Sequence, residues 1–286
     1  MAVATLSRGS TSIDIPLQEE GGEILVSSSF GKPEVDIRNS GGTLDPRTSD
    51  RFSGLQNFEL LGKLFDYETT HDLADLIKSA STDPLQLTIP SDVYEDEITV
   101  CPSAGSDSAL GLNYPAGRKE IVDVSLTLTR VDPNVQGVGV DGQQAETPRA
   151  SGSGPIEIQI GSTTVELPTS DLSLERSVGR PNDVVRRRPQ QADPAYLVKP
   201  KVTSDVFGFS FETVDNIPET LNAISENIFR EQLGRGGVTI DFNGVLGLGA
   251  IEAIPVGSSP FRQVHQAGRG WTTVPVLDFR RVFAPE

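Results

Sequence analysis

The chain has 286 residues, a length that suits one large domain or two of ordinary size. Its 40 acidic and 24 basic residues give a net charge of −16, which repels phosphate backbones and disfavours specific nucleic-acid binding. The single cysteine, Cys101, excludes an intramolecular disulfide and a cysteine-based zinc cluster. No apolar run approaches the ~20 residues of a membrane span, and the first residues do not read as a signal peptide.

The first half of the chain predicts strands on either side of one helix. Strands are expected at residues 12–17, 23–27, 85–89 and 98–101. Leu73, Leu76 and Ile77 have the spacing of one helical face, which predicts a helix near residues 70–80. Residues 122–130 alternate apolar and polar side chains, the pattern of a strand with one buried and one wet face.

The second half predicts the same kinds of element in the same order. Strands are expected at 156–160, 163–167, 238–242 and 250–256, with a helix near 218–233 that starts at Pro218 and stops at Gly234. The closing strand departs from its counterpart because Val274 and Val276 fall on the face that is polar in 122–130. We therefore expect this strand to be covered on both faces.

Four sequence blocks recur in one order, which indicates a tandem duplication. Residues 9–16 (GSTSIDIP) match 161–168 (GSTTVELP) at a shift of 152, and Gly31-Lys-Pro matches Gly179-Arg-Pro at a shift of 148. Asp45-Pro and Leu73 match Asp193-Pro and Leu221 at that same shift. Residues 116–131 match 267–282 with six identities in 16 positions. Chance would give about one such identity from average amino-acid usage.

The predicted fold is mainly β (β-rich α+β), a tandem duplication of a β-sandwich or barrel module that carries one helix in each copy. The first module spans 1–131 with its helix near 70–80. The second spans 156–286 with its helix near 218–233. Residues 132–155 are rich in Gly, Pro, Ser and Gln, and are predicted to form a linker or long exposed loop.

Residues capable of chemistry are few and scattered. His71 and His265 do not correspond between the copies and are interpreted as surface or loop-end histidines; Cys101 is interpreted as a small buried hydrophobe. The glycines at 244–249 lack a phosphate-loop ending and predict a turn or a bulge between strands. The acidic turn with Asp92, Glu95, Asp96 and Glu97 is taken as solvated, with cation binding left open. No catalytic residue, cofactor or metal is expected.

Arg186, Arg187 and Arg188 interrupt the acidic pattern. Arginine forks onto carboxylates, and such contacts keep their strength in salt better than long-range attraction does. We weigh a subunit contact evenly against a solvated loop for this cluster. Arg130 and Arg281, which close the two equivalent strands, are added as candidate subunit-interface residues.

Eighteen of the 24 basic residues are arginine, and the acidic residues are dispersed. In molar salt the Debye length falls to about 3 Å, so dispersed like charge costs little. This composition resembles that of proteins from extremely halophilic archaea or their viruses. An ordinary acidic protein is the alternative.

The paired β modules, each closing on an Ala-Gly-Arg…Leu/Phe-x-Arg-Val strand, resemble the tail-tube-like and distal-tail (baseplate hub-like) proteins of tailed viruses. The resemblance implies a non-enzymatic structural virion protein of the tail, assembled in the host cytoplasm. It implies a ring of three or six chains that contacts neighbouring tail proteins, with DNA only as passing cargo and no membrane partner. The alternatives are a monomeric carbohydrate- or surface-binding β-sandwich pair, and an enzyme with a site between the modules.

Overall fold

We describe the fold from a computed structural model. The residues it describes are 3–17, 19–20, 23–24, 26–31, 35–38, 44–47, 55–79, 84–89, 97–102, 109–115, 120–130, 136–137, 146–160, 163–167, 172–179, 182–186, 196–200, 204–214, 237–256, 261–266 and 271–282. The predicted helix near 218–233 lies outside these residues, as do half of the predicted linker 132–155 and the acidic turn up to Asp96.

The protein is mainly β, as predicted. One helix, α1 (Tyr67–Ser79), lies within the described residues. The strands of the first half are β1 (Val3–Arg8), β2 (Thr11–Pro16), β3 (Glu19–Glu20), β4 (Glu23–Ile24), β5 (Val26–Gly31), β6 (Val35–Arg38), β7 (Leu44–Arg47), β8 (Leu55–Leu64), β9 (Leu85–Thr88), β10 (Ile98–Pro102), β11 (Leu110–Tyr114) and β12 (Val122–Arg130).

The later strands are β13 (Gln136–Gly137), β14 (Glu157–Ile160), β15 (Thr163–Glu166), β16 (Ser173–Gly179), β17 (Asn182–Arg186), β18 (Tyr196–Pro200), β19 (Ser204–Val214), β20 (Val238–Asp241), β21 (Ile251–Pro255), β22 (Phe261–Gln266) and β23 (Trp271–Arg281). The strands predicted at 12–17, 85–89, 98–101, 122–130, 156–160, 163–167, 238–242 and 250–256 are confirmed to within one residue at each end. The strand predicted at 23–27 coincides with β4 and the start of β5.

Sixteen of these strands form one antiparallel sheet. In the first half, β12 pairs along one edge with β8, which pairs in turn with β5. The other edge of β12 pairs with β11 at one end and with β10 at the other. From β10 the sheet continues through β9 and β1 to β2.

The second half of the sheet is built around β23. One edge of β23 pairs with β19, which pairs in turn with β16. The other edge pairs with β22 at one end and with β21 at the other. From β21 the sheet continues through β20 and β14 to β15.

The two halves meet edge to edge where β11 pairs antiparallel with β16. The register runs from Leu110 opposite Val178 to Tyr114 opposite Leu174. The amide of Ala109 extends this ladder by donating to the Val178 carbonyl at 3.1 Å. We call this ladder the inner seam. Because of it, a single run of eight antiparallel strands reaches from β5 to β22 through β8, β12, β11, β16, β19 and β23.

The closing strand β12 has the predicted alternation, with Val122, Val124, Leu126 and Leu128 buried. β23 differs for a local reason. Between Val274 and Leu277 it carries one residue more than the facing strand β19, so a bulge stands next to Pro275, which has no N–H to donate. The bulge turns Val274 into the core and leaves Val276 half-buried. The expectation of cover on both faces is thus corrected to a change of register.

Candidate functional site

Helix α1 carries a polar face toward the second half of the sheet. It begins after Asp66, whose carboxylate accepts from the amide of Thr69 at 2.6 Å and so caps the first turn. Leu73, Ala74 and Ile77 bury its apolar side. His71, Asp75 and Lys78 follow one another at spacings of four and three residues, which aligns them along one side of the helix. That side faces β16.

A fully buried ion pair faces the helix from strands β16 and β19. Arg176 and Asp205 both have 0% exposed side chains. The guanidinium donates through Nε to Oδ1 at 2.8 Å and through Nη2 to Oδ2 at 2.7 Å, a bidentate geometry. The guanidinium also lies 5.0 Å from the centre of the Phe207 ring. Both acceptor oxygens of Asp205 are therefore used by one partner.

Thr147 links the ion pair to the helix. Its hydroxyl accepts from Arg176 Nη2 and from Lys78 Nζ, each at 3.0 Å, and donates to Asp75 Oδ1 at 2.7 Å. The backbone amide of Thr147 donates to the same oxygen of Asp75 at 3.0 Å. Thr147 is buried, although it belongs to the segment predicted to be a linker or exposed loop. We call Asp75, Lys78, Thr147, Arg176 and Asp205 the junction cluster.

Charges in the junction cluster compensate one another. Burial alone would raise the pKa of Asp205, but Arg176, Lys78 and Arg281 nearby hold it below its usual value. Burial also opposes ionisation of Asp75, and its pKa is nevertheless lowered because Lys78 lies 2.7 Å away. Burial lowers the pKa of Lys78, while the two carboxylates act in the opposite direction. The cluster thus holds its charges by pairing them with one another, with Arg176 and Asp205 fully buried and Asp75 partly exposed.

His71 is buried, so its interpretation as a surface or loop-end histidine is wrong. Its Nε2–H donates to the carbonyl of Leu246 at 2.9 Å, which leaves Nδ1 to accept from Arg176 Nη1 at 3.4 Å. Burial and the nearby Arg176 lower its pKa to about 4. The imidazole is therefore neutral at pH 7 and bridges the helix, the Leu246 turn and the ion pair.

Tyr114 lies on β11, in the inner seam, next to the junction cluster. Its ring is buried beside Tyr67, with ring centres 6.2 Å apart. Within the described residues its hydroxyl makes no well-formed hydrogen bond. Burial raises its pKa to about 12, against the opposing influence of Arg176. The seam and the cluster therefore share one buried region.

An open cleft of about 610 Å3 lies over the outer side of the cluster, lined in part by Asp72, Asp75, Lys78, Thr147 and Arg149. Arg149 spans its mouth with salt bridges to Asp72 and, at 3.5 Å, to Asp75. In the described part of the chain, no three His, Cys, Asp or Glu side chains form a group suited to a metal ion. The arrangement joins α1, residues 146–149 and strands β16 and β19 through paired charges.

The predicted turn at 244–249 is confirmed and belongs to this region. A short 3-10 helix, Val245–Gly247, connects β20 to β21. Gly247 has φ +70°, and a Cβ there would lie 3.3 Å from both Tyr67 Cβ and His71 Nε2. The turn thus needs glycine to approach the helix closely.

Replacing Gly247 with alanine is expected to cost roughly 1–2 kcal/mol of unfolding free energy, because an L-residue disfavours this backbone region. Gly111→Ala is the matched control, since its Cβ would meet nothing closer than 3.8 Å. Denaturant unfolding in constant molar salt measures both. Equal stability of the two variants would contradict the packing role assigned to Gly247.

Of the predicted interface arginines, Arg281 lies at the junction. Its Nη2 donates to the Glu146 carbonyl at 3.0 Å, and its Nη1 is 3.8 Å from Asp205. Arg130 is exposed at the end of β12, opposite Val100. Arg186 ends β17 opposite Tyr196, while Arg187 and Arg188 lie outside the described residues. Of the described residues in this set, Arg281 lies at the junction cluster and Arg130 at the end of β12, and a role of the five arginines between subunits stays a prediction.

Cys101 is buried, as predicted, and burial raises its pKa to about 12. The backbone of His265 lies in β22 opposite Thr272. Of the acidic turn, the described residue Glu97 is exposed.

Sequence reasoning missed Arg176, Asp205 and Thr147. A usable signal existed for the first two. Arg176 stands between Leu174 and Val178 on the buried face of β16, and Asp205 continues the alternation of Phe207, Phe209 and Phe211 in β19. A charge inside an apolar alternation requires a buried partner. Thr147 carries no comparable signal.

No protein-family model matches this sequence, and no curated protein matches it significantly. Among the described residues there is also no helix with the length and apolar character needed to cross a membrane.

Proposed function

We propose that this chain is a tandem duplication that serves as a non-enzymatic structural protein of a viral tail. In this proposal it is a distal-tail or tail-tube-like component that forms a ring of three or six chains around the tail channel of a virus of a halophilic archaeon. It would contact neighbouring tail proteins and leave DNA to pass as cargo.

The strand order of the two halves supports the duplication. Each first-half strand of the sixteen-stranded sheet has a counterpart with the same neighbours within its own half: β1 and β14, β2 and β15, β5 and β16, β8 and β19, β9 and β20, β10 and β21, β11 and β22, and β12 and β23. In both halves the central strand pairs along one edge with two successive strands and along the other with one long strand.

The pairing registers agree with the shifts between the repeated sequence blocks. Leu6 lies opposite Ile13 in the first hairpin, and Ile158 lies opposite Val165 in the second, a shift of 152 at both positions. Arg130 lies opposite Val100, while Arg281 lies opposite Ala253. The strand pairing and the sequence blocks thus agree, which supports a common origin of the halves.

The observation that carries the functional proposal is the inner seam. Two like units are joined through their sheet edges within one chain, so the chain itself is a two-unit section of a longer edge-to-edge array. Edge pairing satisfies backbone groups that would otherwise invite aggregation, and repetition around an axis closes such an array. An acidic lumen would also repel passing DNA. The assignment to a viral tail rests on the resemblance in architecture.

The proposal predicts a defined multimer in molar KCl. Light scattering on a sizing column should give three or six times the 30.6 kDa chain mass, and negative-stain images should contain rings with a central hole. Three chains would favour a hub-like ring, and six a distal-tail-like ring.

A compact monomer that persists at high protein concentration would contradict the proposal and favour the carbohydrate- or surface-binding alternative. That alternative has little support in the described surface, where Phe65 is the one aromatic among the exposed large hydrophobic side chains. Sugar-binding faces usually present several aromatic side chains.

A further inference from the structure

We propose that copies of this chain join head to tail through a second seam, in which β22 of one copy pairs antiparallel with β5 of the next. This inference rests on the proposed self-assembly and specifies the surfaces that perform it. The partner is a second copy of the same chain.

The inner seam is the template. It pairs β11, the strand beside one end of the central strand β12, with β16, the outermost strand of the other half. Leu110 and Val178 face each other there and are both buried, as are Tyr114 and Leu174. The joint thus combines a backbone ladder with apolar pairs, which together suit an interface that excludes water.

The two strands at the far ends of the eight-strand run occupy the corresponding places. β22 lies beside β23 as β11 lies beside β12, and β5 lies beside β8 as β16 lies beside β19. Within the described residues, neither β22 nor β5 pairs with a strand along its other edge. Val264 on β22 is an exposed apolar side chain.

Strand polarity permits the repeat. All neighbours in the run from β5 to β22 are antiparallel, and the run contains an even number of strands. Its two end strands are therefore antiparallel to each other, as the inner seam requires of its partners. A copy added at β22 repeats the same geometry, and the β22 edge of the added copy is then available for a further copy. Such a heterologous contact closes into a ring when the rotation per copy divides a full turn.

The inner seam also predicts the register. Leu110 lies opposite Leu126, and Phe261 lies opposite Leu277, which is the equivalent of Leu126 in the matched closing strands. Leu110 and Phe261 therefore correspond. Phe58 and Phe207 also correspond, because they lie opposite Leu128 and Phe279, which are related by the shift of 151 between the closing strands. Ser28 lies opposite Phe58 and Arg176 lies opposite Phe207, so Phe30 corresponds to Val178. Phe261 of one copy should therefore lie opposite Phe30 of the next, an apolar pair as in the template.

The same register sets Arg262 opposite Ser29, and Val264 opposite Ser27. β22 itself is regular through this stretch, because the extra residue of the bulge belongs to β23. The seam differs from its template in two respects. Leu112 and Tyr114 correspond to the polar residues Gln263 and His265, and Arg176 and Asp205 correspond to the uncharged residues Ser28 and Gln56. The buried ion pair is thus particular to the joint within the chain.

Cysteine cross-linking tests the register in the full-length protein. The double variant S29C/R262C, oxidised in molar KCl, should give a ladder of disulfide-linked multimers on a non-reducing gel that ends at the particle size measured by light scattering. Directly opposed strand positions fall within the reach of a disulfide. Each single variant should migrate as a single chain on the same gel, because the remaining cysteine, Cys101, is buried and not available for cross-linking.

The matched control is S29C/V264C, which uses the same strands two residues out of register. Its Cα atoms would be about 7–8 Å apart, beyond disulfide reach, so we expect about tenfold less multimer. S27C/V264C provides a second in-register pair should S29C/R262C fail to fold. A ladder from either in-register pair and not from the control would support the seam.

Two results would overturn the inference. One refutes this seam alone, and the other refutes the proposed function as well. Suppose that light scattering gives particles of three or six chains, but neither in-register pair gives a ladder, or the control gives an equal one. That result would refute this seam and leave the proposed function standing. A chain that stays monomeric in molar KCl would refute both.

Discussion

Replacing Arg176 with methionine is expected to cost roughly 3–5 kcal/mol of unfolding free energy, the range for removing one partner of a buried ion pair. The change leaves the Asp205 carboxylate with 0% exposure and without its bidentate donor. Lys78 and Arg281 each lie 3.8 Å from that carboxylate, which is too far to replace two hydrogen bonds. Denaturant unfolding at constant molar salt measures the loss.

The matched control for this prediction is Arg149→Met. Arg149 and Asp72 form an exposed pair, with 41% and 46% of their side chains accessible, and such pairs contribute about 0–1 kcal/mol. The double variant R176M/D205L removes both buried charges and should recover much of the stability that R176M loses. Equal losses from R176M and R149M would contradict the structural role of the junction cluster.

The second large effect is a loss of stability as the pH falls from 6.5 toward 4, caused by His71. Its pKa is lowered to about 4 in the folded state by burial and by Arg176, against 6.5 for a free histidine. In this window the unfolded chain binds the proton and the folded chain does not, so acidification favours unfolding. The full shift corresponds to about 3 kcal/mol, lost progressively between pH 6.5 and 4.

The other charged groups near His71 keep their charge in this pH window. Arg176 and Arg149 stay charged throughout it, and the pKa of Asp75 is lowered from 3.8. The lowered pKa values of Asp75 and Asp205 stabilise the fold above pH 3.8, and that contribution is lost only as the pH falls below it. The histidine effect is therefore separate from that of the carboxylates.

His71→Gln supplies the comparison, since glutamine can donate to Leu246 but does not titrate in this range. The unfolding free energy of the wild-type protein minus that of the variant should fall between pH 6.5 and 4 and be flat from pH 7 to 8. A difference that is independent of pH would show that His71 takes up its proton equally in both states.

These two experiments probe the internal joint that the proposed assembly needs. The inner seam fixes β11 beside β16 by backbone hydrogen bonds, while the junction cluster fixes α1 against β16 by charge. A chain held at both places presents its end strands β5 and β22 at a defined mutual orientation. Ring closure depends on that orientation, because small errors in rotation accumulate around the ring.

Local pattern was enough to predict several elements of the fold. The alternation of Val122, Val124, Leu126 and Leu128 predicts both the strand and its buried face, since side chains in a strand alternate between faces. Leu73, Leu76 and Ile77 predict the buried face of α1, although its start at Tyr67 depends on the Asp66 cap. The repeated blocks predict corresponding elements at matching shifts.

The long strands β8 and β19 escaped prediction, although Phe207, Phe209 and Phe211 give β19 the alternation of a half-buried strand. What the sequence did not supply was the pairing partners of these strands. β8 is held between β5 and β12, and β19 between β16 and β23. Pairing energy depends on residues distant in sequence, which a local pattern does not contain.

The sequence by itself therefore determined the β-rich class, the recurring blocks and the apolar faces, because each depends on residues a few positions apart. The tertiary structure alone decided that Arg176, Asp205, Lys78 and Thr147 meet, and that β11 pairs with β16. It also buried His71, which local context had indicated to be exposed. Burial of a charge is stable only when its partner arrives from elsewhere in the chain, so the junction cluster exists only once the two halves have come together.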